Sequence, residues 1–106
     1  MREFTASELR SYLEASQDSP LLLDVRETWE FDTCHIEGST LIPMSRIVAA
    51  VEALDPQHTT VVICHHGIRS RMVARHLESA GFTDVINLTG GVDSWAKDVD
   101  PEMAVY

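Results

Sequence analysis

Short apolar runs alternate with polar segments whose hydrophobic residues recur at helical spacing. Leu21-Leu22-Leu23-Asp24-Val25 does not alternate and follows Asp18-Ser19-Pro20, which suits a strand buried on both faces of a parallel sheet. Thr59 to Ile63 and Val85 to Leu88 have the same character, and Thr40-Leu41-Ile42-Pro43 reads as a short strand stopped by proline. Thr5-Ala6-Ser7-Glu8 has the form of a capping box, and Leu9, Tyr12 and Leu13 then place a first helix to about Ala15. Glu27 to Phe31 predicts one helical turn. From Met44 to Leu54 the spacing predicts a helix with Ile47, Val48, Val51 and Leu54 on one face, ended by Asp55-Pro56. Met72, Val73, Leu77 and Ala80 line another helix, with Gly81 as its cap. Gly90-Gly91 opens a short last helix carrying Trp95, and 98–106 reads as a tail containing Pro101. The alternation predicts an α/β fold, a mainly parallel central sheet of four or five strands flanked by helices, with sites at the strands' carboxyl ends.

Size narrows this to one domain over 1–106, since 106 residues with 44% hydrophobic content supply one core. No repeat, low-complexity tract or Gly/Ser linker divides the chain. With 17 acidic and 8 basic residues the net charge is −9, which disfavours polyanions, nucleic acid and anionic membranes alike, as general partners. Two cysteines, Cys34 and Cys64, make no disulfide framework, and the start of the sequence has no cationic segment followed by an apolar run. A reducing, cytoplasmic setting is the expectation. The apolar stretches fall far short of the ~20 residues that span a bilayer.

The chemistry concentrates in Cys64-His65-His66-Gly67-Ile68-Arg69-Ser70, where a cysteine ends a β-branched strand and a helix start follows. Amides at a helix N-terminus, its dipole and the Arg69 cation would each stabilise a thiolate at an accessible Cys64. Gly67 allows dihedrals that other residues resist, so N–H groups of His65, His66, Gly67, Ile68, Arg69 and Ser70 can converge on the sulfur or on a substrate oxyanion. The alternative for any single cysteine is a structural one, and that is the expectation for Cys34, which lacks a helix-start signal. His65 and His66 either face solvent or position an anionic donor. Adjacent histidines lack chelating spacing, so no metal is expected, nor any organic cofactor. Asp24 and Arg26, at a strand end, read as a charge pair that fixes the neighbouring loop, with substrate contact as the alternative. Trp29, Phe31 and Trp95 are expected in the core or as pocket wall.

Leu23-Asp24-Val25-Arg26-Glu27, His35-Ile36-Glu37-Gly38-Ser39 with Ile42-Pro43, the Cys64 to Ser70 loop, and Gly81-Phe82 through Gly90-Gly91 with Trp95 together resemble the rhodanese-like sulfurtransferases. The resemblance implies that family's three-layer fold, its loop, and a packing and hydrogen-bonding role for His35. It also implies transfer of sulfane sulfur from a donor such as thiosulfate, through a Cys64 persulfide, to cyanide, glutathione or a thioredoxin-like protein. Related phosphatases and arsenate reductases place the arginine one residue later, where Ser70 stands here, and so build a larger cradle. Cys34 departs from the glycine common before the His-Ile pair and leaves a redox link with Cys64 as a further option. Relatives that have lost the cysteine serve as binding modules, a class that retention of Cys64 and Arg69 argues against.

Overall fold

The computed structural model describes residues 1–106 and contains one five-stranded, all-parallel sheet in the order β1-β5-β4-β2-β3. The strands are β1 (Arg2–Phe4), β2 (Leu21–Asp24), β3 (Thr40–Leu41), β4 (Thr60–Ile63) and β5 (Val85–Leu88). The helices are α1 (Ala6–Ala15), α2 (Thr28–Thr33), α3 (Ile47–Ala50), α4 (Ile68–Ser79) and α5 (Gly91–Asp98). Central β4 pairs with β2 through Leu22–Val61 and Leu23–Val62, and with β5 through Val61–Ile86.

Successive β4 residues serve opposite layers, as the two-residue period of a strand requires. Val61 and Ile63 pack with Ala6 and Leu9 of α1 and Val92 and Trp95 of α5. Val62 and Cys64 pack on the other face with Ile47 of α3 and Val73, Ala74 and Leu77 of α4. All four β4 residues are fully buried. Burying one such valine or isoleucine stabilises the fold by about 1.5–3 kcal/mol, so this strand anchors whatever hangs from its carboxyl end.

The capping box forms as the sequence predicts: Thr5 Oγ1 accepts from the Glu8 amide and Glu8 Oε1 accepts from the Thr5 amide. Four expectations are corrected. β1 was not foreseen. Residues 44–53 are not one helix but a 3-10 turn, the single α turn of α3 and a second 3-10 turn, and Val48 is 70% exposed while Ile47 is buried. In α4 the buried face is Val73, Ala74 and Leu77, and Met72 and Ala80 face outward. Trp95 is a core residue, but Trp29 is 62% exposed and belongs to no core.

Residues 99–106 do not trail away. The Val99 and Asp100 amides donate to Trp95 O, Met103 N–H donates to Asp100 O, and Met103 and Tyr106 pack against the α1/α5 layer.

Candidate active site

β4 delivers Cys64, and Gly67, in the left-handed region at φ +97°, turns the chain into α4. That turn aims the amides of Gly67 and Ser70 at Cys64 Sγ, at 3.1 and 3.3 Å. The thiol lies 3.3 Å from Ser70 Oγ, which in turn donates to Asn87 Oδ1. Asn87 Nδ2 donates to Gly67 O and to Glu3 Oε1, fixing the loop from below. Two backbone donors thus point at one sulfur, which is what an anion there requires, while the thiol itself donates to Ser70 Oγ. The expectation of an accessible thiol is corrected: Cys64 is 1% exposed, because the same turn that supplies the donors folds over it.

A second helix start grips the loop from the opposite side. Val92 N–H donates to Cys64 O at 2.9 Å and Asp93 N–H to His65 O at 3.1 Å. Gly91 makes this approach, since a Cβ there would stand 2.3 Å from Cys64 O and 2.4 Å from His65 O.

Arg69 is tied to α2. Its Nη1 and Nη2 donate to the two Glu30 carboxylate oxygens at 2.7 and 2.9 Å, a bidentate pair. Glu30 is 4% exposed and also accepts from the Glu27 amide. The Arg69 hydrogen bonds hold its pKa down to about 2, against the opposing effect of burial, with help from the Glu27 amide and the Tyr106 hydroxyl. Asp24 and Arg26 are both fully buried and paired, Arg26 Nε and Nη2 donating to the carboxylate. Burial pulls the Arg26 pKa down, yet the hydrogen bonds to Asp24 and Tyr106 outweigh it and leave it raised. Arg26 also donates to the carbonyls of Glu30 and Cys34 and to the Tyr106 hydroxyl.

His65 is half-buried between two rings, Tyr106 and His66, each with its centroid 3.9 Å away. Burial, then repulsion from His66, lowers the His65 pKa. His66 and Ile68 are exposed at the rim. Ligand atoms of His65, His66 and Asp93 lie within 4.8 Å of one another, with Asp93 engaged by Lys97 and the two imidazole planes tilted by 32°. His35 sits apart: its Nδ1 donates to Phe31 O and its ring stacks on Phe31. Cys34, half-buried, is a free thiol, as Cys64 is.

The structure therefore brings Cys64, Gly67 and Ser70 together, leaves His66 and Ile68 on the rim, and adds three residues the sequence reading missed. Glu30 carried a signal, an acid inside an otherwise helical turn beside aromatics. Asn87 carried one too, a polar residue within a buried strand. Tyr106 carried none, because its partners Arg26, Glu30 and His65 are distant in sequence.

The Rhodanese-like domain model matches residues 5–98. The probable adenylyltransferase/sulfurtransferase MoeZ of Mycobacterium tuberculosis is 38% identical over 104 residues, 96% of this chain and 26% of that protein, so the chain spans about a quarter of that relative. Thiosulfate sulfurtransferase GlpE of Pseudomonas fluorescens is 33% identical over 88 residues, covering 83% of this chain and 81% of that one. A rhodanese-like domain protein from Staphylococcus aureus superposes with a TM-score of 0.84 at 28% identity, over 100% of this chain and 99% of the other. With the family model matching most of its length, the chain belongs to the rhodanese-like domain family.

Proposed function

We propose that the protein transfers sulfane sulfur through a persulfide on Cys64. One observation carries the reading: the Gly67 and Ser70 amides converge on a sulfur at the mouth of the sheet. Cys64 thiolate attacks the outer sulfur of a donor such as thiosulfate, a new S–S bond forms, and the donor's own S–S bond breaks with its electron pair leaving on sulfite. The terminal sulfur of the persulfide is then taken by cyanide or by a thiolate such as glutathione or a thioredoxin-like protein, and Cys64 departs again as thiolate. The converging amides favour the charged form at each stage. Arg69, anchored by Glu30, offers its remaining N–H donors to the donor's oxyanion. A reducing compartment would keep Cys34 and Cys64 as the free thiols this chemistry uses.

The burial of Cys64 favours a second reading, a binding module without turnover. Intact mass after incubation with thiosulfate, mercaptopyruvate or a polysulfide decides between them. Gain of one sulfur atom, absent in Cys64→Ser, is the expected result. No gain from any of the donors leaves the binding module, and phosphate-ester turnover without sulfur uptake points to the related phosphatase chemistry.

A further inference from the structure

We infer that residues 99–106 form a strap, with Tyr106 as its latch, that selects by size what reaches Cys64. The inference rests on Cys64 being the reacting thiol of the proposed transfer, and it concerns which molecules gain entry. Tyr106 is the side chain that touches both rims of the site. On one rim its ring stacks on His65, the residue directly after the cysteine, at 3.9 Å and 13°, and meets Trp29 edge-on at 5.6 Å. On the other its hydroxyl donates to Glu30 Oε2 at 2.9 Å and accepts from Arg26 Nη1 at 2.7 Å, joining the Glu30–Arg69 pair to the Asp24–Arg26 pair. Beneath the strap, the gap between Cys34, His65 and Val92 on one side and Ala104, Val105 and Tyr106 on the other has no room for a water molecule. Cys64 is 1% exposed beneath its own turn, and Tyr106 meets that turn at His65 and, through Glu30, at Arg69.

The latch is strong enough to matter and weak enough to open. It consists of one aromatic stack and two charge-assisted hydrogen bonds on a strap whose neighbouring residue Val105 is 66% exposed. Thiosulfate-sized anions need only a narrow opening. A thiol donor or acceptor carried on a peptide or protein needs Tyr106 to leave His65, which also unties Glu30 from Arg26. The strap therefore favours small donors and taxes bulky ones by the fraction of time it is open.

The test reads access to the thiol and not turnover, so it stands apart from the sulfur-uptake experiment. In a Cys34→Ser background, the rates of Cys64 alkylation are measured with iodoacetamide, which is small, and with N-(1-pyrenyl)maleimide, which is bulky and also neutral. Tyr106→Ala is expected to raise the bulky-to-small rate ratio about tenfold, the effect of losing a stack and two hydrogen bonds from a closed state. Tyr106→Phe, which keeps the ring and loses the hydroxyl contacts, is expected to raise it about threefold. Tyr106→Trp, which keeps aromatic cover and also loses the hydroxyl contacts, is expected to raise it no more than Tyr106→Phe does. A ratio in Tyr106→Ala matching the parent, or a gain in Tyr106→Trp equal to that in Tyr106→Ala, overturns the latch. If Tyr106→Ala is unfolded at the assay temperature, Tyr106→Phe decides, and an unchanged ratio there overturns it.

Discussion

At the scale of single residues, the site is a set of charges that answer one another. Glu30 owes its low pKa to Arg69, so the sign of its contribution follows: folded Glu30 titrates at about 2 against 4.5 when unshifted, and the stability it contributes is present above 4.5 and lost as pH falls toward 2. Thermal melts of the parent should fall across that window, and Glu30→Gln should remove this component, giving a shallower descent. A parallel descent would mean that another carboxylate carries the effect. Asp24→Asn leaves the fully buried Arg26 without its counter-charge and should cost about 3–5 kcal/mol in urea unfolding. The adjacency of Asp24 and Arg26 makes that pair legible in the sequence. Glu30 with Arg69, and Tyr106 with both, are not, because periodicity reports which face a residue occupies and says nothing of a partner brought from another element.

At the scale of elements, legibility tracks burial. The apolar runs of β2, β4 and β5 announced themselves since both faces are covered, and α1 did so through its cap. β1 is three residues, Arg2-Glu3-Phe4, and becomes a strand only by pairing with Ile86, Asn87 and Leu88, a long-range contact no local pattern encodes. The segment 44–53 looked helical by spacing, but Pro43 precedes it and Asp55-Pro56 closes it, and within those limits the chain tightens to 3-10 at each end. The loop around Cys64 depends on two helix starts, α4 and α5, meeting it from opposite sides. Gly91→Ala would drive a methyl into the carbonyls of Cys64 and His65 and should cost at least about 2 kcal/mol while abolishing sulfur uptake. Gly38→Ala, where no atom lies within 4 Å, should cost only the strain of its positive φ, about 1 kcal/mol, and leave uptake intact. Equal losses in the two would remove the close approach as the cause.

At the scale of the whole molecule, the charge of −9 sets how the proposed anionic donor would arrive. The basic residues near the loop are largely spoken for, Arg69 by Glu30 and Arg71 by Glu3, so the long-range field repels thiosulfate. Raising salt screens that repulsion, and kcat/KM for thiosulfate should climb roughly two- to fivefold between low and physiological ionic strength. A fall with salt would show that local cations near the thiol dominate the approach.

The cysteine turn is wedged as well as folded. Gly67 lies so near the β5–α5 connection that a side chain on it would press on Gly90 N at 3.0 Å and Leu88 O at 3.2 Å, while Gly91 abuts the carbonyl of Cys64. Widening the ring by one amino acid to fit a tetrahedral phosphate would therefore demand a matching rebuild of the diglycine corner. Conversion from one chemistry to its cousin needs two coordinated edits in separate stretches of gene, and either edit alone yields a damaged protein rather than a halfway enzyme.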